Sequence, residues 1–146
     1  MKIIESIRNY IGNLDCMATF ENAVNINFLD GEADSFSLEE VPCEPILKRY
    51  IDGSSLRQFQ FAFCSREPYG AEIIQQIDNS SFYEDFVEEV ENKNNAGILP
   101  IGADNIEPLE LNVTSNAYVV ATNRGVTENN AMYQINLNFK YLKGVK

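Results

Sequence analysis

The sequence contains no histidine among its 146 residues, and that absence removes a whole group of enzyme mechanisms. Without histidine, neither Ser-His and Cys-His nucleophile pairs nor the commonest type of zinc ligand is available. Neither G-x-G-x-x-G nor G-x-x-x-x-G-K-[ST] occurs, so the chain carries no nucleotide-binding fingerprint. The residues therefore predict a protein with no catalytic residue and no cofactor.

The sequence contains few cysteines, and their number and spacing do not suggest pairs. The three cysteines, Cys16, Cys43 and Cys64, are odd in number and show no C-x-x-C spacing. We therefore expect neither a disulfide framework nor a four-cysteine zinc site. Instead, the sequence predicts free thiols that are buried or half-buried. Charged residues interrupt the apolar residues of the opening segment, and no apolar run approaches the ~18 residues of a membrane span. We expect a soluble protein of a reducing cytoplasm that does not enter a membrane.

Basic residues are few and unevenly placed. The chain has 11 Lys and Arg against 22 Asp and Glu, for a net charge of −11. The net charge is −4 over residues 1–66, −10 over residues 67–110 and +3 over residues 111–146. A protein that grips nucleic acid neutralises phosphates with clustered Lys and Arg, and no such cluster is present. Tight nucleic-acid binding is therefore disfavoured.

The first third of the chain predicts a helix and two strands. Apolar residues recur at three- and four-residue spacing from Ile3 to Leu14, which predicts an amphipathic helix that ends near Gly12-Asn13. Its apolar stripe fits the molecule's own core better than a partner. Alternation from Val24 to Phe28 and again around Phe36 and Leu38 predicts two strands that pair with each other.

A hairpin is predicted around Asp52-Gly53. The two flanking runs, residues 46–51 and 54–65, predict a type I′ turn that places Ile51 opposite Ser54 and Ile46 opposite Phe59. The second run alternates aromatic and small or polar residues, so one of its faces should lie at the centre of the core. That face carries Phe59, Phe61 and Phe63.

The rest of the chain predicts further helices and strands. We expect a short helix over residues 71–77 and a second helix capped by Asp78, Asn79 or Ser80, with an acidic outer side, that ends over residues 93–97. Leu109, Leu111 and Val113 then predict a strand that turns at Ser115-Asn116 into another over residues 118–122. A polar loop over residues 123–130 leads to the longest strand signal, over residues 133–141.

These elements predict an α+β fold in which a mostly antiparallel sheet has helices packed on one face. Residues 1–146 show no repeat, low-complexity tract or linker, so a single domain is expected.

Residues 39–70 contain a distinctive series of short motifs, and the opening residues 1–8 and the helix entry at residues 79–83 accompany them. The motifs are Glu39-Glu40-Val41-Pro42, Pro45-Ile46, Lys48-Arg49-Tyr50, Asp52-Gly53-Ser54-Ser55, Arg57-Gln58, Phe61-Ala62-Phe63, Ser65-Arg66-Glu67 and Tyr69-Gly70. With them, most of the chain resembles the minor capsid and tail terminator proteins of tailed bacteriophages and prophages. No distinctive shared residue follows Gly97.

The resemblance implies a non-enzymatic structural protein of the virion. Such a subunit forms a homo-oligomeric ring, a hexamer by resemblance, that caps the tail tube and joins it to the head connector. Its implied partners are thus other copies of itself, the tail tube protein and the head connector protein. DNA would pass through the ring without tight binding, and assembly would take place in the bacterial cytoplasm.

Nine residues are candidates for subunit contacts. We expect the Asp52-Gly53 hairpin to project from the sheet and its tip to contact a neighbouring subunit, because its polar decoration exceeds what a buried hairpin needs. An ordinary surface turn is the alternative. Opposite charges on two surfaces would also favour head-to-tail contacts, in which the acidic helix docks on basic residues of the next copy. The alternative there is that the acids only keep a monomer soluble. The candidates are Arg49, Tyr50, Asp52, Gly53, Arg57, Glu88, Arg124, Lys140 and Lys143.

Three other functional classes share this layout: a non-enzymatic binding or adaptor protein, a host adaptor unrelated to phage, and a small-ligand enzyme. The missing histidine and nucleotide motifs count against the enzyme. Native mass separates the remaining classes, since a ring-forming subunit should assemble and a lone binding protein need not.

We predict that the purified protein holds no catalytic metal and turns over no substrate. The acids of residues 30–34 resemble the start of a calcium loop, but Ser35 and Val41 stand where that loop requires Gly and Glu. Elemental analysis of protein purified without added metal checks this, and stoichiometric zinc, iron or manganese would contradict it.

Overall fold

The computed structural model describes residues 2–17, 24–26, 35–68, 73–124 and 129–144. These residues form two α-helices, a short 3₁₀ turn and seven strands. The helices are α1 (Ile3–Gly12) and α2 (Ile73–Asn95), and the 3₁₀ turn is Asp15–Met17. The strands are β1 (Val24–Ile26), β2 (Ser35–Glu40), β3 (Ile46–Arg49), β4 (Ser55–Pro68), β5 (Ile106–Val113), β6 (Tyr118–Arg124) and β7 (Asn129–Lys143).

Two long strands form the middle of the sheet. β4 and β7 pair in antiparallel fashion from Ser55 opposite Lys143 to Pro68 opposite Asn130. Along the outer edge of β4 lie β2 and β3, and along the outer edge of β7 lie β5 and β6. All these pairings are antiparallel, and β1 is added parallel to β2. The predicted α+β class with a mostly antiparallel sheet is confirmed.

Both helices contribute to one core with one face of the sheet. Phe61 and Phe63 are fully buried in it. The Phe63 ring stacks between the rings of Phe36 in β2 and Phe86 in α2, with distances between ring centres of 5.7 Å and 4.8 Å. Phe59 is only partly buried at the margin. Because successive side chains of a strand point to opposite faces, the alternation of aromatic residues along β4 directs them to this core, as predicted.

The other face of the central strands is lined mainly by amides. Gln58 and Gln60 of β4 and Gln134 and Asn136 of β7 remain partly exposed there. Asn138 Nδ2 donates to Gln58 Oε1 at 3.2 Å across the two strands. This face is therefore polar, and it also includes the charged residues Lys140, opposite Gln58, and Glu39, opposite Ala62.

Helix α1 agrees with its prediction, whereas α2 does not. Ile7 and Ile11 of α1 are fully buried, and the helix ends at Gly12. The predicted break at Asp78, Asn79 and Ser80 is wrong, because α2 continues from Ile73 to Asn95. No Gly or Pro interrupts that span, and polar residues of the capping type each cost at most about 0.7 kcal/mol in a helix interior, which packing of the rest of the helix can offset.

The end of α2 lies where the sequence predicts it. Gly97 adopts a φ of 76°, the left-handed conformation that glycine favours. Its N–H donates to the carbonyl of Asn94 at 3.2 Å, and the N–H of Ile98 donates to the carbonyl of Lys93 at 2.8 Å. These two bonds form a Schellman motif, which satisfies carbonyls of the last turn.

The hairpin between β3 and β4 exists, but its predicted turn type and register are wrong. Gly53 N–H donates to the Tyr50 carbonyl at 3.0 Å, and Tyr50 N–H donates to the Ser54 carbonyl at 2.9 Å. A type I′ turn needs positive φ at both central residues, and of Asp52 and Gly53 only Gly53 has it, at 92°. The loop is instead a three-residue turn with a glycine bulge, and Ile46 consequently lies opposite Arg57 rather than Phe59.

Of three further strand predictions, one is confirmed and two are wrong. β1 pairs with β2 as predicted, in parallel orientation, while Phe28 and the acidic turn at 30–34 lie outside the described residues. The register of β5 shifts at Leu109, which is exposed instead of sharing the face of Leu111. The chain also does not reverse at Ser115-Asn116, since β5 and β6 both run antiparallel to β7.

The loop predicted over residues 123–130 is shorter than expected. β6 continues through Arg124, and β7 already begins at Asn129. β7 is therefore longer than the strand predicted over residues 133–141.

One carboxylate of α2 holds the start of the 3₁₀ turn. Glu89 Oε2 accepts from the backbone N–H of Asp15 at 2.6 Å, and Oε1 accepts from that of Cys16 at 3.0 Å. Farther along α2, Asn94 Oδ1 accepts from the backbone N–H of Leu111 in β5 at 3.0 Å. Side chains of α2 thus fix it to segments on both sides.

Replacing Glu89 by Ala should lower the free energy of unfolding by roughly 0.5–2 kcal/mol, because two backbone N–H groups at a helical N-terminus lose their acceptor. The neighbouring Glu88, exposed on the same helix, provides the control, and Glu88→Ala should change stability by less than about 0.5 kcal/mol. Urea denaturation measures both values. Equal effects of the two substitutions would show that the Glu89 bonds add no stability.

Candidate subunit-contact surfaces

The hairpin tip is defined here as residues 47–54, of which residues 50–54 extend beyond the last pair of the central strands. That pair is Ser55 and Lys143. Asp52 Oδ1 accepts from the backbone N–H of Ser54 at 2.9 Å and from its hydroxyl at 2.6 Å. These bonds, the side-chain one first, lower the pKa of Asp52. The Asp52 carboxylate therefore holds the turn in shape, which gives the tip a fixed conformation.

The tip carries exposed apolar side chains. Ile51 is fully exposed at the turn, and Leu47 and Tyr50 are exposed beside it. Tyr50 is among the contact residues predicted from the sequence, whereas Leu47 and Ile51 are not. The signal was present in the sequence, because a β-branched apolar residue directly before Asp-Gly occupies a turn position that is normally exposed to water.

The hairpin also carries basic side chains, and one of them contacts an apolar residue of the tip. Lys48 Nζ lies 5.3 Å from the centre of the Tyr50 ring, within the range of a cation–π interaction. Arg49 is exposed on β3. At the base of the hairpin, Arg57 Nε donates to Ser55 Oγ at 2.9 Å. The five hairpin candidates, Arg49, Tyr50, Asp52, Gly53 and Arg57, thus lie on one hairpin. Lys48 and Tyr50 share one side of it, and Arg49 belongs to the other.

The three other basic candidates do not form one patch. Lys140 forms an ion pair within its own chain, in which its Nζ lies 3.3 Å from Glu110 Oε1. Lys143 is three residues farther along β7, so its side chain belongs to the opposite face of the strand. It lines a cleft of about 550 Å³ with Lys2 and Asp104. Arg124 lies at the other end of β7, where its backbone pairs with Asn129, and only its backbone is described.

The candidate Glu88 borders a groove between α2 and the connection from β5 to β6. The groove has a volume of about 390 Å³. Residues four and three apart on a helix share one side, which places three carboxylates along its margin. We call it the acidic groove. Its carboxylates are Glu84, Glu88 and Glu91, and its remaining lining is Tyr83, Val87, Asn116, Ala117 and Tyr133.

Two of the three thiols, those of Cys64 and Cys16, are not activated as nucleophiles. Burial, with a smaller contribution from Glu39, raises the pKa of the Cys64 thiol to about 12. Burial, with the nearby Glu89 carboxylate, does the same for Cys16, whose pKa is also about 12. The thiolate is the reactive form, so both groups are inert near neutral pH.

The described part of the chain contains no cluster of three or more Asp, Glu or Cys side chains arranged to hold a metal ion. Within the same residues, neither helix combines the length and the hydropathy that crossing a membrane requires.

Comparison with models of known protein families gives no match, and comparison with curated proteins gives no significant match.

The buried Cys64 thiol predicts a loss of stability at alkaline pH. The pKa of Cys64 is about 12 in the folded protein against 9.0 for an ordinary thiol. The unfolded chain therefore releases this proton first, and the stabilisation is complete below about pH 9 and is lost as the pH rises towards 12. The free energy of unfolding, measured by urea denaturation between pH 8 and pH 11, should fall with a slope of at most about 1.4 kcal/mol per pH unit from this group. Cys64→Ala should reduce the slope, and an unchanged slope would contradict the assignment.

Proposed function

We propose that this protein is a structural subunit of the virion of a tailed phage or prophage, which caps the tail tube as a homo-oligomeric ring and joins it to the head connector. The observation that carries the proposal is the hairpin tip, where Ile51, Leu47 and Tyr50 are exposed on a hydrogen-bonded turn. The residues that resemble the tail terminator family include this turn.

An exposed apolar tip of fixed shape is a suitable subunit contact. Transferring an isoleucine side chain from water into an apolar site contributes roughly 1.5–3 kcal/mol. The turn is already ordered by Asp52 and Ser54, so docking costs little additional conformational entropy. Both points favour a contact with a partner over an ordinary solvated turn.

The charge distribution supports a ring through which DNA passes. The net charge of −11 repels phosphates. The partly exposed amides Gln58, Gln60, Gln134 and Asn136 offer polar, uncharged groups, and Lys140, opposite Gln58, is paired with Glu110. A surface of this kind lets DNA move past without holding it, because tight binding depends on phosphate neutralisation.

A second candidate function is a non-enzymatic adaptor, favoured by the acidic groove. The groove joins an apolar base, which includes Val87 and Ala117, to three carboxylates, and this chemistry fits a basic peptide. An adaptor of this kind would bind its peptide as a monomer. A ring subunit would associate with itself.

We expect the purified protein to associate with itself as its concentration rises, and to do so more strongly in the presence of its tail tube partner. If charges guide these contacts, association should weaken towards 1 M salt, where the Debye length is about 3 Å. Analytical ultracentrifugation over a concentration and salt series, with electron microscopy of any rings, measures this. A monomer under all conditions, with or without tail tube protein, would contradict the proposed function. Association that is constant or stronger at high salt would contradict only the electrostatic part.

A further inference from the structure

We propose that the acidic groove of one copy receives the hairpin tip of the next copy. This inference rests on the proposed function, because it names the two surfaces through which the subunits would meet. It assigns the acidic helix a partner different from the one the sequence suggested. From the sequence, the predicted basic partners of this helix on the next copy were Arg124, Lys140 and Lys143.

The two surfaces are complementary in charge. Glu84, Glu88 and Glu91 are all exposed at the groove. Lys48 and Arg49 are exposed at the hairpin tip, with Arg57 at its base. Opposite charges on two docking surfaces steer the encounter and fix the register.

The two surfaces are also complementary in their apolar parts. The groove lies over Tyr83, Val87, Ala117 and Tyr133, and the tip presents the fully exposed Ile51. A volume of about 390 Å³ lies within the ~300–1,000 Å³ of sites that enclose small ligands. A few side chains of a tight turn can occupy such a space. Burying Ile51 there would remove the most exposed apolar side chain of the described residues from water.

The geometry requires that these surfaces meet between copies. The hairpin adjoins Ser55, whereas the groove includes Tyr133, which pairs with Ser65 on β4. Ser55 and Ser65 are ten residues apart along β4, which corresponds to roughly 33 Å at about 3.3 Å per residue. A tip cannot reach the groove of its own chain across that distance. The contact is therefore head-to-tail, and repeating it closes a ring or extends a filament.

Lys140 is a poorer partner for the acidic helix of another copy. It already lies 3.3 Å from Glu110 within its own chain. A contact with a second carboxylate would have to replace that ion pair, so the net gain would be small. The exposed Lys48 and Arg49 make no ion pair with another described residue in the chain, so a new carboxylate partner there is a net addition.

Charge exchange between the two surfaces tests the proposal. The hairpin variant Lys48→Glu with Arg49→Glu, and the groove variant Glu84→Lys with Glu91→Lys, should each raise the concentration needed for half-maximal self-association about tenfold or more. A protein that carries all four substitutions should return to within about threefold of the unsubstituted protein, because the charge pairs are restored in reverse.

A charge-matched control separates this contact from a general effect of net charge. Asp85 faces the other flank of α2, and Glu107 is exposed on β5. Asp85→Lys with Glu107→Lys changes the net charge as much as the groove variant does. It should leave self-association within about twofold of the unsubstituted protein. Far-ultraviolet circular dichroism confirms that each variant is folded.

Disulfide trapping provides a second readout that does not depend on charge. Protein with Ile51→Cys, mixed with protein with Ala117→Cys, should form a disulfide-linked dimer on mild oxidation, because only nearby cysteines can bridge. A mixture of Ile51→Cys with Ile101→Cys is the control, since Ile101 is also exposed but lies outside the groove.

The outcomes distinguish this inference from the proposed function. If the protein assembles but the charge variants and the trapping mixture behave like their controls, the inference is wrong and the ring proposal stands. If the unsubstituted protein remains a monomer in every condition, both are wrong. If the groove variant loses only the binding of tail tube protein or of a basic peptide, the groove holds that partner, and the contact between copies is refuted.

Discussion

The antiparallel pairing of β4 with β7 is the constraint on which the other features depend. It continues over every residue of β4, from Ser55 to Pro68. Because side chains alternate between faces, this register alone directs Phe61 and Phe63 to the helices, and Gln58 and Gln60 to the opposite face. A slip of one residue would exchange the two faces. The same pairing separates the hairpin from the acidic groove, because it spans the distance between them.

Much of the fold could be predicted from local patterns. The alternation along β4 and β7 and the apolar stripe of α1 each reflect the geometry of a single element, so the sequence carries them directly. The continuity of α2 past Asp78, Asn79 and Ser80 could not be predicted in the same way. Those residues suit a helix cap and are also tolerated in a helix interior, and only the packing of the whole helix decides between the two.

The candidate site was predictable in part, for a related reason. The hairpin candidates are neighbours in sequence, and a turn brings them together without help from other segments. The acidic groove combines α2 with Ala117 and Tyr133, which are distant in sequence, and no local pattern reports that convergence. Glu88 and Glu89 are adjacent acids on one helix, yet Glu88 borders the groove whereas Glu89 binds the backbone of Asp15 and Cys16.

The order of the central strands along the chain affects how the protein is made. β4 leaves the ribosome well before its partner, because the nearest pair, Pro68 and Asn130, is already more than sixty residues apart in sequence. At about 5–20 residues per second, that delay lasts several seconds. During this time, the nascent chain exposes one unpaired edge of β4. Strands that are far apart in sequence also pair slowly during folding. Newly made chains are therefore most vulnerable to aggregation before β7 is synthesised, and a chaperone that shields the β4 segment should raise the yield of folded protein.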